Sequence, residues 1–267
     1  MSKKIDKMKE FYKNNKKSSL AWYLTLRGLV IITMVLRGLR GDWASVFLCV
    51  LTLILFTVPY IINQKLKIEL PDLLEIIIFL FIFSAEILGE IQNFYGIFTH
   101  WDTILHTLNG FLCAAIGFSL IDILNNSERF HIKLSPAFVA LVAFCFSMTI
   151  GVLWEFFEFG ADQLLRFDMQ KDRIVQNIST VELEPEGKNK TVKIDNIEKT
   201  IIYSTKNGET TETTINGGYL DIGIIDTMKD LIVNFVGAII FSIIGYFYIL
   251  NRDKYKFAEN FIPVKRS

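Results

Sequence analysis

The length of its uncharged stretches is what most limits how this chain can fold. From Pro136 to Trp154, PAFVALVAFCFSMTIGVLW, no residue carries a charge, and about 20 such residues in a helix cross the hydrocarbon core of a bilayer. Comparable windows recur, at about 20–38, 43–63, 71–94, 103–124, 136–160 and 222–250. The 28 basic and 28 acidic residues cancel, but most of them sit between the windows. That patterning excludes a soluble globule. It predicts an all-α integral membrane protein, a bundle of about six transmembrane helices with a small extracytoplasmic β-rich insertion. No nucleic-acid partner is expected.

Cys49, Cys113 and Cys145 each lie inside an apolar window and form no CxxC pair, so they read as buried thiols rather than a disulfide or zinc knuckle. The basic start, MSKKIDKMKEFYKNNKKSS, precedes an apolar stretch that Arg27 interrupts and that no small-residue cleavage site follows. An uncleaved first helix fits better than a secretory signal.

Lys and Arg in short loops set orientation. The tail over 1–19, the 64–70 loop (Lys65, Lys67), the 125–135 loop (Arg129, Lys133) and the tail over 251–267 together hold sixteen; the opposite short loops hold Arg37 and Arg40. Both termini are therefore expected in the cytoplasm of a bacterial cell, in a multi-pass protein of the cell membrane. The organisation expected is a basic cytoplasmic tail over 1–19, transmembrane helices one to five over 20–165, an extracytoplasmic loop over 166–221, a sixth helix over 222–250 and a basic cytoplasmic tail over 251–267. Within the loop, TVKI, TIIYST and TTETTI alternate polar and apolar residues, and KNGE at 206–209 places Asn-Gly between two such runs. That is a type I′ hairpin signal.

Ionisable residues inside the windows carry the functional reading. Asp102 and His106 are four apart at the start of the fourth window and share one helix face. Glu86 and Glu90 stand near the outer end of the third, Glu155 and Glu158 near the outer end of the fifth followed by Asp162, and Asp226, Asp230 and Asn234 form a stripe at the outer start of the sixth. With the orientation taken from basic residues alone, all of these fall at one membrane level. A carboxylate at mid-bilayer costs about 2.5–3.5 kcal/mol, so the set is expected to line a polar, outward-facing cavity. Crowded carboxylates share protons, pair with His106 or bind a cation. Oxygen donors suit Ca²⁺, Mg²⁺ or Mn²⁺, and one imidazole among them admits Mn²⁺, Fe²⁺ or Zn²⁺.

The expected catalytic set is Asp102, His106, Glu155, Glu158, Asp226 and Asp230. The divalent-metal set is Asp102, His106, Glu155, Glu158 and Asp230, supported by Glu86, Glu90, Trp154, Asp162 and Asn234. Beside this stands a purely structural reading. Singly, Asn234 and Glu86 serve as interhelical hydrogen-bonding groups, Trp154 as an interfacial anchor, and Gly110 and Gly237 as points of close helix approach.

The stretches SAEILGEIQNFYGIFTHWDTILHTLNGFLCAAIGFSLIDILN, GVLWEFFEF and IIDTMKDLIVNFVGA resemble the YjdF-like family of bacterial inner-membrane proteins over roughly 80–170 and 222–245. More distantly, the order D-x3-H, E-x2-E and D-x3-N-x2-G (Asp102 and His106; Glu155 and Glu158; Asp230, Asn234 and Gly237) is similar to VanZ-like proteins, which are associated with glycopeptide resistance at the cell envelope. The resemblance implies a multi-helix membrane protein without supplying a reaction, and the insertion at about 171–220 departs from the shorter pattern. Three functions follow. One is an enzyme acting on membrane lipids or a lipid-linked envelope substrate, without the HExxH and GxSxG signatures. The others are a cation or proton-coupled transporter, and a non-catalytic protein that docks an extracytoplasmic partner.

Overall fold

The structure, a computed structural model, describes residues 2–65, 68–125 and 133–265. Lys67, Arg129 and Arg266, which enter the loop-charge bias, lie outside the described residues. Helix α1 (Ser2–Leu39) is apolar enough to span a membrane from Ser18 onward. The chain turns at Gly41, φ 75°, and Asp42 caps α2 (Trp43–Leu55) by accepting the Ser45 N–H at 3.1 Å and the Ser45 hydroxyl at 2.6 Å. Those two bonds, with the Arg37 guanidinium 3.3 Å away, hold the Asp42 carboxyl below its usual range. A turn at residues 56 and 57 leads to α3 (Val58–Lys65), then β1 (Ile68–Glu69), α4 (Asp72–Phe83) and α5 (Phe94–Ile97). The remaining long helices are α6 (Trp101–Asn125), α7 (Pro136–Leu165) and α8 (Ile224–Leu250). Among the described residues five spans are long and apolar enough to cross a membrane: 18–39, 43–65, 101–125, 136–165 and 224–250.

The third apolar window differs from the continuous α-helix its composition predicts. Helix α4 runs only twelve residues before the hydrogen bonding widens at Ser84 into an eight-residue π-helix, Ser84–Ile91. Near that junction the indole N–H of Trp101 donates to the Ser84 carbonyl at 3.2 Å, the kind of side-chain intrusion that disturbs an i→i−4 ladder. Asn93, in the left-handed region at φ 57°, then breaks the chain before α5.

The chain divides into two compact units. The first comprises residues 1–152 and 230–267. In it α1, α2, α4 and the π-helix bury Val30, Cys49, Phe56 and Leu74, with the rings of Tyr23, Phe56 and Phe79 in mutual contact. A second cluster joins α6, α7 and α8 through Ala114, Phe118, Val139, Ala143, Ala238 and Phe241. Leu24, Ile32, Leu141, Ile232 and Ile243 face outward, as expected of helices whose solvent is lipid.

Small residues set how closely these helices approach. A Cβ on Gly110 would stand 2.0 Å from the Asn234 carbonyl oxygen, and one on Gly237 would stand 1.9 Å from that of Thr107. Helices α6 and α8 thus touch backbone to backbone at two reciprocal points. They run parallel, since Asn109 meets Asn234 and Asp122 meets Arg252 further along. The α7 hydroxyl of Ser147 donates to the Gly110 carbonyl at 2.7 Å, tying a third helix to the crossing.

The second unit covers residues 153–229. Strands β2 (Arg173–Val175) and β7 (Tyr219–Asp221) pair antiparallel and close its base; β3 (Ile178–Thr180) pairs with β4 (Val192–Ile194). Strands β5 (Lys199–Lys206) and β6 (Glu209–Asn216) form a hairpin paired from Lys199↔Asn216 to Lys206↔Glu209. Asn207 and Gly208 between them have φ 54° and 85°, the positive values a type I′ turn needs at both central positions. Most residues of both strands are exposed.

Replacing Gly237 by Ala should cost about 1–3 kcal/mol or more, because the methyl group meets a carbonyl that cannot swing aside. Thermal unfolding in detergent measures this, and Gly28→Ala, whose Cβ would meet nothing within 4 Å, is the silent control. Equal melting of the two variants would refute the backbone contact.

Candidate functional site

The close approach of α6 and α8 puts three of the sequence-predicted residues together. Asp102 stands in the first turn of α6 with His106 one turn later, and Asp230 comes from α8. The His106 Nε2 lies 3.4 Å from Asp102 Oδ1 and 3.7 Å from Asp230 Oδ2. One donor atom from each residue falls within 4.8 Å of the other two. The Asp230 side chain is only 2% exposed, that of His106 13% and that of Asp102 21%, so the cluster passes from enclosed to accessible from Asp230 towards Asp102.

These separations exceed the 2.7–3.2 Å of an ordinary N–H···O bond, and one nitrogen faces both carboxylates. Two donors on a tetrahedral ion, each about 2.1 Å from it, would stand about 3.4 Å apart. The donor types, and the two separations from His106, therefore fit a small divalent cation. An imidazole with two carboxylates suits Zn²⁺, Mn²⁺ or Fe²⁺.

A polar layer adjoins the triad. Asn109 donates to Asn234 at 3.0 Å, and the Asn234 amide points its nitrogen at Met148 Sδ, 3.6 Å away. Asn234 is 1% exposed, and a Cβ on Gly151 of α7 would come within 2.8 Å of its nitrogen. Sequence reasoning missed Asn109. Its signal was the spacing: residues 102, 106 and 109 follow the i, i+4, i+7 stripe of a single helix face.

The other expected residues have their own local surroundings. Glu86 and Glu90 are on the π-helix, Glu86 2% exposed and Glu90 half-buried. The remainder belong to the second unit. There Glu155 and Glu158 are buried, and the Trp154 indole donates to Glu158 Oε1 at 2.8 Å. Asp162 accepts the Met169 and Gln170 amides at 2.7 and 2.9 Å, terminating α7. Asp226 accepts the Lys171 amide at 2.9 Å and lies 3.3 Å from the Arg173 guanidinium, so both its oxygens hold the start of β2. At the far end of the first unit a cavity of about 510 Å³ is lined by Tyr23, Phe56, Asn63, Glu69, Asp72 and Glu75 among others.

Five apolar spans with an Asp–His–Asp cluster between two of them define a multi-pass membrane protein. The chain belongs to the family described as predicted membrane protein (DUF2238), whose profile matches residues 20–251. It is also 31% identical over 107 residues to a Thermotoga maritima protein described as uncharacterized, covering 40% of this chain. The matched stretch spans about half of that relative, 53% of its length. No solved structure matches.

The Asn109–Asn234 hydrogen bond should couple the two side chains by about 0.6 kcal/mol, the mean for interhelical bonds in membrane proteins. A double-mutant cycle with Asn109→Ala and Asn234→Ala, read by unfolding in detergent, measures it. Strict additivity would show that the pair contributes nothing beyond its separate burial.

Proposed function

We propose that Asp102, His106 and Asp230 hold a divalent cation that drives hydrolytic or transfer chemistry on a lipid or lipid-linked substrate of the bacterial cell envelope. The observation that carries this is a single imidazole nitrogen facing two carboxylates at 3.4 and 3.7 Å. Three protein donors leave coordination positions for water or substrate oxygen, and a cation so held polarises a carbonyl or phosphoryl group or lowers the pKa of bound water. Asp230 anchors the ion at the enclosed side, and the more exposed Asp102 offers the approach. The sixteen basic residues of one set of loops and tails support placing both termini in the cytoplasm, which puts the cluster towards the outer leaflet. The VanZ-like resemblance supports an envelope substrate. Glu155 and Glu158 are buried, and Asp226 anchors the start of β2.

A second reading, that the cation is structural and the protein docks an extracytoplasmic partner, is favoured by the exposed hairpin β5–β6. A sheet edge with no neighbour accepts another strand. Deleting residues 175–216 separates the two: retained activity favours the membrane-embedded centre.

Elemental analysis of detergent-purified protein is the direct test. Wild type loaded with Zn²⁺ or Mn²⁺ should retain a stoichiometric ion after dialysis, while His106→Ala and Asp230→Asn, eluting as folded protein, should retain none. A wild type that releases every divalent ion offered would end the metal proposal.

A further inference from the structure

The cavity of about 510 Å³ in the first unit opens where a proline interrupts a span. Pro59 has no N–H to give the Leu55 carbonyl, and Thr57 instead donates to Ile54 through its amide at 2.9 Å and its hydroxyl at 2.6 Å. Beside this break lie Tyr23 of α1, Tyr60 and Asn63 of α3, and Asp72, Glu75 and Phe79 of α4, all on the cavity wall. Residues 72, 75 and 79 follow the i, i+3, i+7 stripe of one helix face. The Asn63 side chain accepts the Leu70 amide at 3.2 Å, which fixes the return of the chain from α3 to α4 and with it Glu69, a further wall residue. Phe56 and Phe79 are almost fully buried and back the Tyr23 ring, at centroid distances of 6.3 and 5.2 Å. Tyr60 is exposed.

Size and lining together select a ligand. Small-molecule sites run to about 300–1,000 Å³, with mostly apolar and aromatic walls and a few polar groups. Here the charged wall residues are Glu69, Asp72 and Glu75, and no Lys or Arg stands among the described residues of the wall. That sign disfavours an anion. A carboxylate offers about four acceptor positions, so the interactions these three already make within the protein leave capacity for another donor. Among the described residues only Asp102, His106 and Asp230 converge closely enough to hold a metal ion, so the cavity suits a larger, organic cation. Tyrosine faces attract such a cation. Tyr23 already does so: the Arg27 guanidinium lies 5.6 Å from its ring centroid and donates to its hydroxyl, while Arg27 itself is not on the wall.

We infer that this cavity binds the ammonium group of an amphiphilic amine, its charge among Glu69, Asp72 and Glu75 and its apolar body against Tyr23 and Tyr60. Two sources share that chemistry, the ethanolamine head of a phospholipid and a free hydrophobic amine. Asp72 lies twelve residues, about 18 Å of helix, before Ser84, and Ser84 is the residue tied to Trp101 at the start of α6. The amine site is thus at the other end of α4 from the Asp102–His106–Asp230 cluster. It does not depend on whether that cluster holds a metal.

Isothermal titration of the full-length, delipidated protein in a neutral detergent tests this. The probes are 2-phenylethylamine, charged at neutral pH, and 2-phenylethanol, an uncharged molecule of nearly the same shape. The amine should bind saturably, one per chain, and the alcohol roughly tenfold more weakly or worse, since it lacks the charge that the carboxylates and ring faces attract. Tyr60→Leu and Glu75→Gln should each weaken amine binding roughly two- to fivefold, whereas Tyr60→Phe, which keeps the ring, should bind as wild type does. Because Tyr60 is exposed, its replacement leaves the core intact and carries the test where Glu75→Gln does not elute as folded protein. Competition by added phosphatidylethanolamine would assign the site to a lipid head, and undisturbed binding to a free amine. Amine heats that never saturate, an alcohol that binds as tightly as the amine, or an affinity unchanged in both variants would overturn the inference.

Discussion

The reciprocal contact of Gly110 with the Asn234 carbonyl and Gly237 with the Thr107 carbonyl sets the geometry of the bundle. Lipid tails are as apolar as leucine, so helices in a membrane associate through close packing and polar contacts rather than by leaving water. Two backbones at this distance gain dispersion along a full helical turn and Cα–H···O contacts as well. From that crossing the rest of the interface follows: the triad on the Asp102 side, Phe111 against Phe241 and Phe118 against Tyr248 further along, and the Asp122–Arg252 pair at the end.

The same contact makes the triad expensive. Holding α8 this close buries Asp230 almost completely, and an ionised carboxylate in a membrane interior opposes folding by a few kcal/mol. A bundle selected only for stability would place an apolar residue there. The His106 Nε2 stands 3.7 Å from the Asp230 carboxylate, and a cation shared with Asp102 would offset part of the cost. The amide layer at Asn109 and Asn234 lies beside the triad, and its neutral hydrogen bonds carry none of the charge penalty.

Much of the helical layout was legible because hydrophobic length is a strong signal. The Asn-Gly turn was legible for a different reason: few residue pairs accept positive φ twice in succession. Asp102 and His106 could be placed on one face from spacing alone. That Asp230 would meet them was expected only from a shared membrane level; the crossing at Gly110 and Gly237 that brings it within reach is a matter of two missing side chains. Asp226 shows the limit most clearly. Its partners, Lys171 and Arg173, are more than fifty residues away in sequence, and nothing in the spacing of charges announces them. The Ser84–Ile91 widening was invisible because composition is the same for an α- and a π-helix. The edge contact of Phe261 with Phe111 lies in a segment whose charge marks it as a solvated tail.

The π-helix has an evolutionary consequence. Hydrogen bonds from i to i+5 accommodate an additional residue within a helix that otherwise keeps its direction, so Ser84–Ile91 has the form of a single-residue insertion absorbed in place. Losing one residue there would let the ladder revert to α while Asp72 and Ile91 kept their ends of the bundle. What would change is rotation: Glu86 and Glu90 would move around the helix axis relative to everything before Ser84. Length variation at this position among relatives would therefore alter which groups face the interior while leaving the number and order of spans untouched.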